Sequence, residues 1–298
     1  LTVTWLPEDR DIHVARDVWP TVSKWLGGSV VGQESPGRYG YQFGCVFSVA
    51  IHGSIVPIGR VDWGGDRHGS RARLDISGAG CSRISDWFAV RAFIEGLTEA
   101  TLTRVDLAVD CLQGEFTVED ARDWLLEGQF HAGGRRPRHS TPGDWFDPHW
   151  GRTLEVGRRE NGKMLRAYEK GRQLGDPDSP WVRWEVELRN IDRVLPLDVL
   201  TDRDRYFAGA YVALERLLEI QGDRIKTIQA EGEISLRELV QFQRSAYGQL
   251  VNVLRAKLPA SDVLDLLCRE GVPRRLHRPS LADFHAIGAD ALTQELRL

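Results

Sequence analysis

Three segments of this chain are two-faced. In Met164-Leu165-Arg166-Ala167-Tyr168-Glu169-Lys170, strand alternation puts Arg166, Tyr168 and Lys170 on one side and Leu165 and Ala167 on the other, because successive side chains of a strand point to opposite faces. Arg104 to Asp110 shows Asp106 and Asp110 opposite Val105, Leu107 and Val109. Arg183 to Arg189 shows Glu185 and Glu187 opposite Trp184, Val186 and Leu188. Placed in one sheet, these strands share an apolar face for a core and a polar face that collects a tyrosine, carboxylates and cations.

The rest of the chain predicts what surrounds that sheet. Thr2–Leu6 reads as a short strand, and residues 11–26 as an amphipathic helix closed by Gly27-Gly28. Alternation over Tyr41, Phe43, Cys45 and Phe47, and apolar runs over 51–58 and 72–76, predict further strands. Gly78-Ala79-Gly80-Cys81 reads as a glycine-rich turn after a strand. Asp86 caps a helix over 87–100, and Thr117 starts another that runs to Leu126. Residues 128–150 are rich in Gly, Pro, His and Arg and read as a long loop, a length that is often functional. Asn161-Gly162 predicts a hairpin between 153–156 and 164–169. Beyond about residue 200 the period switches to that of helices, over 204–220, 235–257, 261–270 and 280–297. The expected architecture is α+β: an antiparallel sheet domain with flanking helices over residues 1–200, then a mostly helical region over 201–298.

Composition narrows the function classes. No window approaches the roughly 18 apolar residues of a membrane span, and Leu1–Pro7 lack the basic start and apolar run of a secretory leader. The chain opens on Leu1 rather than Met, as a trimmed or processed chain would. Cys45, Cys81, Cys111 and Cys268 match no zinc or redox spacing and read as reduced residues of a cytoplasmic protein. The formal net charge of −4 argues against a protein that coats nucleic acid along its whole surface, but the charge is uneven. Residues 1–130 hold 12 basic and 18 acidic side chains, whereas 131–172 hold ten basic against five acidic and run into the tyrosine segment. That suits a phosphate backbone.

The polar face also carries a chemistry. Magnesium or manganese takes hard oxygen ligands, often carboxylates together with substrate phosphate. Glu185 and Glu187 project from one face about 7 Å apart, and Asp106 on a neighbouring strand completes a candidate set. A phenol near pKa 10 is a poor nucleophile at neutral pH. A metal and Lys170 beside Tyr168 would favour the phenolate, with Arg166 and Arg189 as phosphate clamps. The same alternation also describes a solvated sheet face with cross-strand Glu–Arg pairs. His139 and His149 lie in the basic loop, with Trp145 and Trp150 nearby, and no His-Glu-x-x-His or phosphate-binding P-loop motif is present.

Thr103–Asp110, Arg166-Ala167-Tyr168-Glu169-Lys170-Gly171 and Val182–Arg189, with Leu74–Cys81 and Leu1–Leu6 before them, resemble the Rep_trans-type replication initiation factors, rolling-circle initiators of plasmids and filamentous phages. The order and spacing of these segments match over roughly residues 1–220. The resemblance implies a protein that binds a replication origin, single-stranded or as a hairpin, and nicks one strand with a metal-dependent tyrosine. It implies a 5′-phosphotyrosine link, and later rejoining of the strand. The family tyrosine falls on Tyr168, within Tyr-x-Lys, and the acidic positions fall on Asp106, Glu185 and Glu187; Asp110 is a lesser candidate at the strand end. Arg158, Arg159, Lys163, Arg166 and Arg189 are the expected DNA contacts, Mg2+ or Mn2+ the expected cofactor, and a homodimer that recruits a host helicase the expected assembly. The alternatives are a non-catalytic, sequence-specific DNA-binding regulator on the same fold and an RNA- or single-strand-binding protein that uses the sheet as a stacking platform.

Overall fold

The computed structural model describes residues 1–7, 14–27, 30–51, 54–68, 70–131, 134–146, 151–191, 193–220, 240, 243–244 and 246–268. Its centre is a ten-stranded antiparallel sheet. In chain order the strands are β1 (Thr2–Trp5), β2 (Val30–Pro36), β3 (Phe43–Ile51), β4 (Ser54–Trp63), β5 (Ala72–Ile76), β6 (Thr101–Cys111), β7 (His139–Ser140), β8 (Thr153–Arg158), β9 (Lys163–Glu169) and β10 (Val182–Arg189). Their order across the sheet is β2-β3-β4-β5-β1-β6-β10-β9-β8-β7. The N-terminal strand β1 therefore joins two halves: a meander of β2 to β5, and the group β6 to β10 that contains all three two-faced segments.

One face is dry. Val3, Leu74, Leu102, Val105, Leu107, Val109, Leu165, Ala167, Trp184 and Val186 are buried there. They pack with residues of helices α1 (Val14–Trp25), α3 (Trp87–Glu95) and α4 (Val118–Leu126) in one core. The helix starts have physical causes. Asp86 accepts a hydrogen bond from the amide of Ala89 at 3.0 Å. Thr117 and Asp120 close a reciprocal capping box at the start of α4. The glycine-rich turn after β5 forms a single helical turn, α2 (Gly78–Cys81), capped by Ser77.

After residue 200 the described secondary structure is helical, including α6 (Arg203–Ala208), the 3-10 stretch Val212–Ile220 and a helix over Ala260–Leu267. Phe207, Tyr211, Leu214 and Leu217 enter the same core as the sheet. The predicted helix over 280–297 lies outside the described residues, as do His149 and Trp150. Two local expectations change. Strand β2 had no predicted counterpart. The strand of Tyr168 ends at Glu169, and Lys170 begins a short helix, α5 (Lys170–Leu174).

Candidate functional site

Register fixes which side chains share the other, polar face. Asp110, Arg183 and Tyr168 form one row across β6, β10 and β9, continued by Thr153 on β8. The next row is Ala108, Glu185, Arg166 and Glu155. The third is Asp106, Glu187 and Met164, and Arg104 and Arg189 face each other in the fourth. The three segments thus meet in one sheet, with Tyr168 two rows away from Glu187.

Tyr168 is half-buried, and burial pushes its phenol up to about 12; Glu185 and Asp110 push the same way, while Arg183 and Arg166 oppose them. Its neighbour Asp110 is held firmly. Arg183 donates to both oxygens of Asp110, at 2.7 and 2.9 Å, and the indole of Trp181 donates to Oδ1 at 2.7 Å. Arg183 was not among the predicted site residues, although it has the same parity along its strand as Glu185 and Glu187. Lys170, despite leaving the strand, stays beside the tyrosine. Its Nζ lies 5.9 Å from the Tyr168 ring centroid and donates to Gln173 at 3.1 Å.

The carboxylates are engaged by arginines. Glu185 pairs with Arg166, its partner across the ladder. Asp106 accepts from Arg104 Nε at 3.0 Å. Glu187 is 1% exposed and sits among four guanidiniums: Arg189 at 2.6 Å, Arg159 at 3.1 Å, Arg104 at 3.3 Å and Arg166 at 3.9 Å. Burial alone would raise its pKa, but the hydrogen bonds and charges of Arg189, Arg104 and Arg159 overcome that and hold the carboxyl below the usual glutamate range.

The expected DNA contacts therefore separate. Arg159, Arg166 and Arg189 gather around Glu187 on the polar face. Arg158 is exposed at the end of β8, opposite Lys163 in register. Lys163 has the parity of Leu165 and packs on the helical side. Its ammonium donates to the carbonyl of Ala210 at 2.5 Å and lies 3.9 Å from the Tyr211 ring centroid. Burial, with Arg193 nearby, lowers its pKa.

The donor chemistry suits a hard divalent cation, because the acids near Tyr168 offer only oxygen. The arrangement is less permissive. Among the described residues no group of three or more His, Cys, Asp or Glu is placed to hold a metal. Both oxygens of Glu187 are taken by guanidiniums, so it does not fit the role of a ligand. Asp106 and Glu185, each with a single close arginine partner, do fit.

A family model described as replication initiation factor, Rep_trans, matches residues 100–265, which include every strand of this site. The chain belongs to the Rep_trans family of replication initiation factors. A solved structure, the rolling circle replication initiator protein from Geobacillus stearothermophilus, is 22% identical, with 70% of this chain and 83% of that chain covered and a TM-score of 0.50. At that identity the likeness is one of fold. A second solved structure, DynU16, a putative protein in the dynemicin biosynthetic locus, is 15% identical over 74% of this chain and 97% of that one, and its TM-score of 0.22 carries no argument. No curated protein matches the chain. Among the described residues no helix is long and apolar enough to cross a membrane.

Proposed function

We propose that this initiator is a metal-dependent DNA nickase and strand transferase that works through Tyr168 at a replication origin. The observation that carries the reading is the row Asp110–Arg183–Tyr168, which sits beside Glu185 and Arg166 on the polar sheet face inside the segment matched to the family. The phenol oxygen of Tyr168 attacks the scissile phosphorus while its proton passes to a carboxylate or water. Glu185 and Glu155 are the diagonal acids on the two strands paired with that of Tyr168, and Asp110 lies in its row two strands away. A Tyr168–phosphorus bond forms, the bond from phosphorus to the 3′ oxygen breaks, and that oxygen takes up a proton. The 5′ end stays on the protein as a phosphotyrosine, and attack by a 3′ hydroxyl later reverses the step and rejoins the strand.

Arg183 and Arg166 flank the tyrosine and neutralise the developing charge on the phosphate. Lys170 favours the phenolate. Arg159, Arg166 and Arg189, anchored on Glu187, clamp neighbouring phosphates. A divalent cation, Mg2+ or Mn2+, would be held by Asp106 and Glu185 and would polarise the scissile phosphate. Residues 1–200 carry this chemistry in a cytoplasmic protein, and the helical region over 201–298 supports a homodimer and helicase contact.

The test is to incubate single-stranded and supercoiled origin DNA with the protein and Mn2+ or Mg2+, then look for an adduct that survives SDS. An adduct lost in Tyr168→Phe and in EDTA supports the reading; one that persists in Tyr168→Phe removes the nucleophile role. A second reading, a DNA-binding regulator without chemistry, is favoured by the raised phenol and the arginine-held acids. Origin-specific binding with no adduct would select it.

A further inference from the structure

The same polar face continues beyond the tyrosine site. Arg104 is opposite Thr2, and Thr2 is opposite Asp75. Asp75 and Arg73 on β5 face Arg60 and Asp62 on β4. Asp62 is fully buried and is gripped by Arg60 and Arg73, while Arg73 also pairs with Asp75. The electrostatic influence of Asp75 reaches Arg104, so the two ionic clusters form one strip.

This second cluster supports an unusual hairpin tip. Strands β2 and β3 are joined by a turn in which Tyr41 N–H donates to the Arg38 carbonyl at 3.0 Å, and its central residues Tyr39 and Gly40 have φ of 59° and 96°. Two positive φ values at the centre of a tight turn favour Asn, Asp or Gly at the first position, on steric grounds. A tyrosine occupies it. The residue is 64% exposed, and the Arg73 guanidinium, paired with Asp62 and Asp75, lies 4.4 Å from the ring centroid. The turn is braced further. Arg38 N–H donates to buried Asp62 at 3.1 Å, the Tyr39 carbonyl contacts His68 Nε2 at 2.8 Å, and Tyr41 stacks on His68 at 4.3 Å. Arg38 and Arg67 are exposed, with no acidic partner among the described residues. Residues 36–75 hold five arginines against three aspartates, within an otherwise acidic first 130 residues.

We infer that Tyr39 is a stacking platform for an unpaired base of the DNA strand, with Arg38 and Arg67 on the adjoining phosphates. A rigid ring presented at steric cost, backed by a fixed cation and flanked by exposed arginines, complements a base attached to a polyanion. It is a site separate from the tyrosine. Three strands lie between β5 and β9, which is about 19 Å across the sheet before any offset along the strands. That DNA is the ligand rests on the proposed function.

The test measures anisotropy of a labelled dT oligonucleotide about 20 nucleotides long, alongside an abasic strand of equal length. Tyr39→Asn removes the ring while supplying a residue the turn prefers. It should leave the thermal midpoint unchanged or higher and weaken dT binding about 5- to 100-fold. Tyr39→Phe should bind as the wild type does, and Tyr39→Asn and wild type should bind the abasic strand equally. Equal binding of dT by Tyr39→Asn and wild type overturns the inference alone. A wild-type protein that neither binds dT nor forms the adduct overturns the nickase reading as well.

Discussion

Asp106 and Glu187 stand opposite each other in the β6–β10 ladder, and Arg104 touches both, at 3.0 and 3.3 Å. Their surroundings nevertheless diverge. Glu187 is sealed under four guanidiniums, while Asp106 is exposed and, among the described residues, pairs with Arg104 alone. A carboxylate whose lone pairs are filled by arginines organises charge; one that faces solvent can meet a cation. The pair therefore divides into an anchor and a candidate ligand.

The anchor role predicts a stability effect. Glu187→Gln leaves the partly exposed arginines around it without their buried counter-charge, and because those guanidiniums reach solvent the cost is about 1–3 kcal/mol, below that of a pair buried on both sides. Urea unfolding should show that loss without metal or DNA. The carboxyls of Glu187 and Glu169 are both held below their ordinary value of 4.5. As pH falls, the unfolded chain takes up protons first, so the stability they contribute is present above 4.5 and is lost as pH falls through their folded values. In Glu187→Gln the acid limb of the stability profile should be shallower.

The ligand role predicts a different signature. Asp106→Asn should raise the Mn2+ concentration needed for adduct formation by about tenfold to a hundredfold, with little change in the unfolding midpoint. Free Mn2+ followed by electron paramagnetic resonance gives the same comparison without any turnover. A loss of adduct at all Mn2+ concentrations with unchanged Mn2+ binding would move Asp106 out of the ligand set.

The phenols set the alkaline limb. Burial pushes both Tyr168 and Tyr211 up from 10.0 to about 12. Between those values the unfolded chain has released protons that the folded chain retains, so stability falls as pH rises, by about 3 kcal/mol per tyrosine at full effect. Tyr41 and Tyr206 are raised as well, so spectrophotometric titration should show Tyr168 and Tyr211 ionising at the end of a late group, and Tyr168→Phe should remove one phenol from that last step. The same raised value means that Tyr168 is not a ready nucleophile by itself, so adduct formation should accelerate with pH well above neutrality.

Much of this architecture is legible in the pattern of apolar positions. Strands β6, β9 and β10 bury one face, so their period is plain, and Thr117 with Asp120 spells out a helix start. Strand β2 (Val30–Pro36) was invisible because it is an outer strand with nearly every residue outside the core. Lys163 was expected among the DNA contacts; it shares the parity of Leu165, and contact with Tyr211 and the Ala210 carbonyl holds it on the helical side of the sheet. The cage around Glu187 depends on which strands pair and in which register, a long-range fact that no local pattern contains. Lys170 was misplaced by one residue of strand. Glu169 still pairs with Val182, and its carboxylate accepts from the Arg152 backbone and guanidinium, each at 2.7 Å; the strand ends where the backbone turns into α5 at Lys170.

The short helix that carries Lys170 offers the last test. A Cβ on Gly171 would lie 2.0 Å from Ser179 Oγ and 2.2 Å from Ser179 Cβ, far inside contact distance. The Gly171 amide also donates to the Trp181 carbonyl at 3.3 Å, and the Trp181 indole holds Asp110 beside Tyr168. Gly171→Ala must therefore push the 179–181 segment away and disturb Asp110 through Trp181. Overpacking of this kind costs about 1–3 kcal/mol. The expected result is a lower unfolding midpoint together with a reduced adduct rate. Removing the obstructing side chain in Gly171→Ala/Ser179→Gly should restore much of both. A double variant no better than the single one would show that the clash with Ser179 is not what Gly171 avoids.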